Sequence, residues 1–166
     1  VERIITVAVS EDNLNTVKQI AARHAEIWCT QGIHPHEANT WNDRLGAKVR
    51  DGCQGNKVVA LGEIGLDYHY DTAKRKSQFR AFEEQLEIAA DLSLPVVIHT
   101  RDADEDTQSI LANHSEQLTQ KGVIHSFTSS MKLAEFCLKE GFLLGFNGIA
   151  TFHNAENVRQ VVAATP

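Results

Sequence analysis

Hydrophobic and polar positions alternate along this chain between two patterns. Six short runs are rich in β-branched and aromatic residues: 3–9 (RIITVAV), 26–33 (EIWCTQGI), 57–64 (KVVALGEI), 94–99 (LPVVIH), 122–127 (GVIHSF) and 142–147 (FLLGFN). Most are too short for helices and read as strands. None alternates strictly between apolar and polar residues, which suits strands buried on both faces of a parallel sheet. Between them lie stretches with helical spacing. The clearest is 72–92, with Phe79, Phe82, Leu86 and Ala89 on one face and Arg80, Glu84 and Glu87 away from it. A second is 11–24, carrying Leu14, Val17 and Ile20 behind a candidate N-cap at Ser10. A third is 131–140, closed by Gly141. Weaker patterns occupy 41–51, 104–118 and 154–164, and no linker or low-complexity segment interrupts them.

About six consecutive βα units predict an α/β fold with a parallel sheet. Two architectures compete, an open doubly wound sheet and a TIM-type (β/α)₈ barrel. The side chains at the strand ends separate them. The second run leads into GIHPHEA, with His34 and His36; the third ends at Glu63; the fourth leads into HTRDA, with His99, Arg101 and Asp102; the fifth carries His125; the sixth ends at Asn147. Ligand chemistry at one end of at least four successive strands favours a barrel, where all such ends meet on one face.

Each residue has a plainer reading alone. His99 and His125 can be hydrogen-bonded core histidines. Glu63 can pair with Arg101, and Arg101 can pair with Asp102. His34 and His36 can be polar loop, as can Asp67, Tyr68, His69 and Tyr70. Together these readings bury several ionisable groups at equivalent positions, each costly without compensation. One divalent cation site compensates them all. Imidazole with carboxylate suits Zn²⁺, Mn²⁺, Fe²⁺ or Ni²⁺, and tolerates Mg²⁺ with added water. Glu63, set between two glycines, is the candidate to bridge two ions.

Composition narrows the picture further. The 166 residues are enough for one domain with a sizeable core. A formal charge of −6, from 16 basic and 22 acidic residues, argues against holding nucleic acid on a broad basic surface, but not against meeting phosphate through metal ions. Cys29, Cys53 and Cys137 form no C-x-x-C pair and read as buried free thiols of a reducing cytoplasm. No run is long enough to span a membrane, and VERIITVAVSEDN has no signal-peptide core.

The stretches GIHPH, GEIGLDYHY, PVVIHTRDA, GVIHSFTSS and FNGIATFHNA occur in order along the chain. Together they resemble the TatD-type metal-dependent deoxyribonucleases, within the amidohydrolase-like TIM barrels. The resemblance implies a metal-dependent hydrolase that cleaves DNA phosphodiester bonds with a metal-activated water, as a 3′-5′ exonuclease on single-stranded DNA. It implies divalent ions (Mg²⁺, Mn²⁺ or Zn²⁺), with Glu63, His99 and His125 as metal ligands and catalytic residues. It places His34 and His36 near the same site, and Arg101 and Asp102 at the substrate or just behind it. It also implies a D-x-H-x-H strand before Val1 and an E-T-D strand after Pro166. Residues 1–166 are therefore expected to form one hydrolase domain, a TIM-type barrel incomplete in this chain. Open sheet edges then predict weak metal binding, little activity and self-association for the chain prepared alone. The alternatives are a related barrel hydrolase acting on a small ester, amide or phosphoester, and an inactive fragment or binding module. The absence of a strand-end lysine suited to carbamylation favours the nuclease, and the set Glu63, His99 and His125 speaks against a decayed site.

Overall fold

The computed structural model describes residues 1–70 and 72–166. Six parallel strands form one sheet: β1 (Ile4–Thr6), β2 (Ile27–Gln31), β3 (Val58–Asp67), β4 (Val96–Arg101), β5 (Gly122–Ile124) and β6 (Leu143–Leu144). Their spatial order is their sequence order. A doubly wound sheet reverses direction at a switch point, whereas this order is that of a singly wound barrel. The sheet is the curled portion of a TIM-type barrel built from six βα units.

The connecting helices are α1 (Leu14–Arg23), α2 (Asp43–Gly52), α3 (Arg75–Asp91), α4 (Asp104–His114), α5 (Met131–Lys139) and α6 (Glu156–Ala164). The apolar stripe expected on α3 faces inward: Phe82, Leu86 and Ala89 are fully buried, and Phe79 packs at the margin. Helix α5 ends as its sequence predicts. Gly141 takes φ +89, the Gly141 N–H reaches Leu138 O and the Phe142 N–H reaches Cys137 O, the paired bonds of a Schellman motif. Helix α1 starts later than expected. Ser10 does not cap it; the Asn13 carboxamide oxygen accepts the N–H groups of Val9 and Ser10, and the helix begins at Leu14.

The terminal strands are shorter than their apolar runs because the ladder stops while the chain continues. After β1 the Ala8 N–H is taken by the Thr30 hydroxyl instead of a neighbouring strand. Strand β3 is longer than its run and continues three residues past Ile64 to Asp67. Its register against β4 changes within it: Gly62 pairs with Val97, but Ile64 pairs with Ile98. Glu63 is thus the extra residue of a β-bulge, a feature that re-aims side chains. Its N–H leaves the β4 ladder and binds Ala8 O at 2.9 Å. Gly62 (φ +154) and Gly65 (φ +135) occupy conformations that L side chains rarely adopt, and a Cβ at either would collide with the β4 backbone. The glycines flanking Glu63 therefore serve the close approach of β4 within the strand.

Candidate metal centre

The ends of β2 to β5 bring six ionisable side chains together. His34 follows β2 and caps the 3-10 turn Pro35–Thr40; its Nδ1 accepts the His36 N–H at 3.2 Å. Pro35 suits the first position of that turn, where its missing N–H costs nothing. Glu63 is placed by the bulge. In β4, His99 pairs across the ladder with Gly65, so it stands between the two carboxylates Glu63 and Asp67, which share its face. His125 directly follows β5 and is anchored by its N–H on Ile98 O at 2.7 Å.

The geometry converges on one oxygen. Glu63 Oε1 lies 2.9 Å from His125 Nδ1 and 3.5 Å from His99 Nδ1. His34, Glu63 and His99 each offer a ligand atom within 4.8 Å of the others. The opposite side of His99 is also held, with Nε2 2.8 Å from Asp67 Oδ2; that oxygen receives His36 Nε2 at 2.9 Å. His34 thus lies inside the group of donors, and His36 one layer behind it.

Asp67 is the residue that sequence reading missed. Given there no role beyond a possible polar loop, it is buried at the end of β3 and organises two histidines. A signal was present: Glu63-Ile64-Gly65-Leu66-Asp67 alternates with period 2, and Ile64 and Leu66 are fully buried on the other face. Tyr68 also departs from the loop reading, with its hydroxyl donating to Asp106 at 2.6 Å. His69 and Tyr70 do lie on the surface, and His69 Nδ1 approaches Asp102 Oδ2 at 3.0 Å. Arg101 forms no ion pair with Asp102 or Glu63 among the described residues. Its guanidinium donates to the Tyr70 hydroxyl at 3.1 Å and lies over that ring. Asn147 acts as a cap, accepting the Ile149 N–H and donating to Ser126 Oγ.

Burial raises the Glu63 carboxyl pKa, but hydrogen bonds from His99 and His125 outweigh it and hold the group down at about 2. Asp67 is likewise raised by burial and brought to about 2 by His36 and His99. Burial and the neighbouring His99 push His34 down to about 4. For His99, burial is outweighed by Glu63 and Asp67, and its pKa rises. These directions fix the acid response of the metal-free protein. Glu63 and Asp67 contribute stability above their ordinary carboxylate range, and that stability is lost as pH falls towards about 2. The unfolded chain protonates His34 at about 6.5 while the folded chain waits until about 4, so stability also falls across that interval. The His99 contribution is complete below about 6.5 and declines only as pH rises through its folded value. Thermal melts in chelator are expected to give a lower Tm at pH 4 than at pH 6.5, and a lower one again at pH 3. A Tm that holds level across this range contradicts the assignment.

The donor set fits a divalent ion. It is imidazole and carboxylate only, clustered at the strand ends, with one buried carboxylate facing several rings. Beside it opens a cleft of about 420 Å³ lined by His99, Arg101, Ser126, Phe152 and Asn157. Arg101 also borders a second cleft of about 840 Å³ with Tyr68, Arg75 and Ser129.

Comparison with known proteins gives consistent matches. The family described as TatD related DNase matches residues 1–166. An uncharacterized metal-dependent hydrolase of Bacillus subtilis, YabD, is 34% identical over the whole chain, which covers 65% of it. The 3′-5′ ssDNA/RNA exonuclease TatD of Cronobacter turicensis is 37% identical over 148 residues, 89% of this chain and 56% of that protein. Among solved structures, YJJV, a TatD homologue from Escherichia coli K12, superposes with a TM-score of 0.93 at 30% identity, over all of this chain and 64% of that one. The chain thus spans less than two thirds of the length of these relatives.

Proposed function

The chain belongs to the TatD related DNase family, and on that premise we propose that residues 1–166 form one hydrolase domain, a partial barrel, which in the full-length protein cleaves phosphodiester bonds of single-stranded DNA from the 3′ end. The observation that carries this reading is the approach of His99 and His125 to Glu63 Oε1 at the C-terminal ends of adjacent parallel strands. Glu63, His99 and His125 would hold a divalent ion, with His34 as a further donor within reach. When bound, such an ion supplies Lewis acidity at the phosphoryl group and lowers the pKa of water.

The chain's own residues supply holding and positioning. Glu63 would contribute the carboxylate donor and His99 and His125 the imidazole donors. Asp67 accepts from His99 Nε2 and leaves Nδ1 turned towards Glu63. Arg101, two residues past His99 on the same face of β4, presents its guanidinium to the cleft and would grip a phosphate with two parallel hydrogen bonds. Asp102 meets His69 Nδ1 at 3.0 Å beside it, and His34 and His36, packed ring to ring at the donor group, would meet the substrate there.

A chelator-controlled assay on single-stranded DNA labelled at either end tests the proposal, with a panel of small esters run alongside. Metal-dependent release of nucleotides from the 3′ end supports it. Turnover of a small ester with intact DNA favours a small-molecule hydrolase instead. Arg101→Lys keeps the charge but loses the planar fork. It is expected to lower kcat/KM on DNA by about tenfold, the worth of one lost charge-assisted hydrogen bond. An unchanged value removes Arg101 from the phosphate site.

We also place the protein in the cytoplasm, on its three free buried cysteines. No helix among the described residues is long and apolar enough to cross a membrane. Ile4 and Ile5 on β1 and Leu143 on β6 expose apolar side chains at the lateral edges of the sheet. For these 166 residues prepared alone, light scattering is expected to report a mass that rises with concentration. A constant monomer mass refutes edge association.

A further inference from the structure

Helix α3 carries two glutamines, Gln78 and Gln85, that are 1% and 0% exposed. Seven residues apart, they lie on one stripe of the helix, and that stripe faces the sheet. A buried carboxamide is costly unless its donors and acceptor are all used. Here both carboxamides are used in the same manner. Gln78 Oε1 accepts the Asp67 N–H at 2.8 Å, and its Nε2 donates to Asp67 O at 2.9 Å and Ala73 O at 3.0 Å. Gln85 Oε1 accepts the Ile33 N–H at 2.8 Å, and its Nε2 donates to Ile33 O at 3.1 Å and Ala81 O at 2.9 Å. Each side chain therefore pairs with both backbone groups of a single residue, as a neighbouring strand would, near the C-terminal end of a strand.

The two clamped residues are not arbitrary. Ile33 immediately precedes His34. Asp67 is the carboxylate that receives His99 Nε2 and His36 Nε2. One path runs from Gln78 through Asp67 to His99 and on to Glu63; the other runs from Gln85 through Ile33 to His34. We infer that Gln78 and Gln85 are positioning residues, through which α3 sets the spacing and orientation of the donors at the metal centre. The inference rests on the metal reading given above. The competing explanation is that the two carboxamides satisfy the backbone and stabilise the fold with no bearing on the ion.

Co²⁺ separates the two, because its visible absorption reports ligand geometry and its titration reports affinity without any assay of turnover. The comparison uses the full protein with Gln78→Met and Gln85→Met, which keep approximate volume and remove the hydrogen bonds. Val49→Ala, in the buried face of α2, serves as a control for destabilisation alone. All three are expected to lower the Tm of the metal-free protein. Only the glutamine variants are expected to weaken Co²⁺ binding, by about 10–100-fold, the range typical of groups that orient metal ligands, and to change the Co²⁺ spectrum. Should a Met variant fail to fold, Gln78→Glu and Gln85→Glu take its place; they keep the acceptor and lose the amide donor. Wild-type Co²⁺ affinity and spectrum in the glutamine variants, with a lowered Tm, overturn the inference. Failure of the unsubstituted protein to bind Co²⁺ overturns the metal reading and this inference with it.

Discussion

Replacing Glu63 by Gln is expected to lower kcat on single-stranded DNA by at least about 10²-fold, the usual cost of losing one strong transition-state interaction, with the fold intact. The substitution preserves size, so the bulge in β3 has no steric reason to rearrange. It removes the only carboxylate in the donor group His34, Glu63 and His99. An amide oxygen is a weak donor to a hard divalent ion, and the His99 and His125 nitrogens lose the anion they now approach. Circular dichroism establishes that the fold persists, and turnover at saturating metal gives the effect. A kcat within about threefold of the unsubstituted protein is incompatible with Glu63 as a metal ligand.

Removal of divalent ions is expected to bring DNA hydrolysis to background, a fall of at least about 10³-fold at the upper end of single-interaction effects, and readdition of Mn²⁺, Mg²⁺ or Zn²⁺ should restore it. The chain offers no other route through its thiols. Cys29, Cys53 and Cys137 are buried, and burial pushes Cys53 and Cys137 up to about 12. The same ions should stabilise the fold. An ion at one hundred times its Kd contributes about 2.7 kcal/mol, which for a chain of this length raises Tm by roughly 5–10 °C. Calorimetry with and without chelator measures this. Undiminished hydrolysis in excess chelator, or a Tm indifferent to every divalent ion, rules the centre out.

The strands were legible because each is a compact run of β-branched and aromatic residues between helical stretches. Their order was legible too, since ligand chemistry recurring at successive strand ends pointed to a singly wound sheet. What escaped was set by partners that no local pattern reveals. Strand β3 continues to Asp67 because β4 runs alongside as far as Arg101. The start of α1 is decided by where the Asn13 side chain goes, not by the favourable residue at Ser10. Within the site, Glu63, His99 and His125 stood out because ionisable residues directly after apolar runs are conspicuous. Asp67 sat behind two glycines and before two aromatics, a composition that suggests a turn. Gln78 and Gln85 were hidden for a different reason. Helical periodicity assigns the inward face to apolar residues, and a polar residue there becomes intelligible only when the backbone groups it binds are known.

The bulge at Glu63 has a consequence for how this carboxylate could be lost over evolutionary time. Relative to β4, the ladder passes from Gly62–Val97 directly to Ile64–Ile98, so the sheet would run on smoothly with one residue fewer. Here the ladder with β4 has no need of the position. A single-codon deletion would erase the carboxylate and its bond to Ala8 while leaving Gly65, Leu66 and Asp67 opposite their present partners. Descendants of such a chain would keep the barrel and most of its recognisable motifs while lacking a carboxylate where this one has Glu63. In aligned sequences of this fold, a one-residue gap between the two glycines is therefore expected to go with loss of the metal-dependent activity proposed for Glu63.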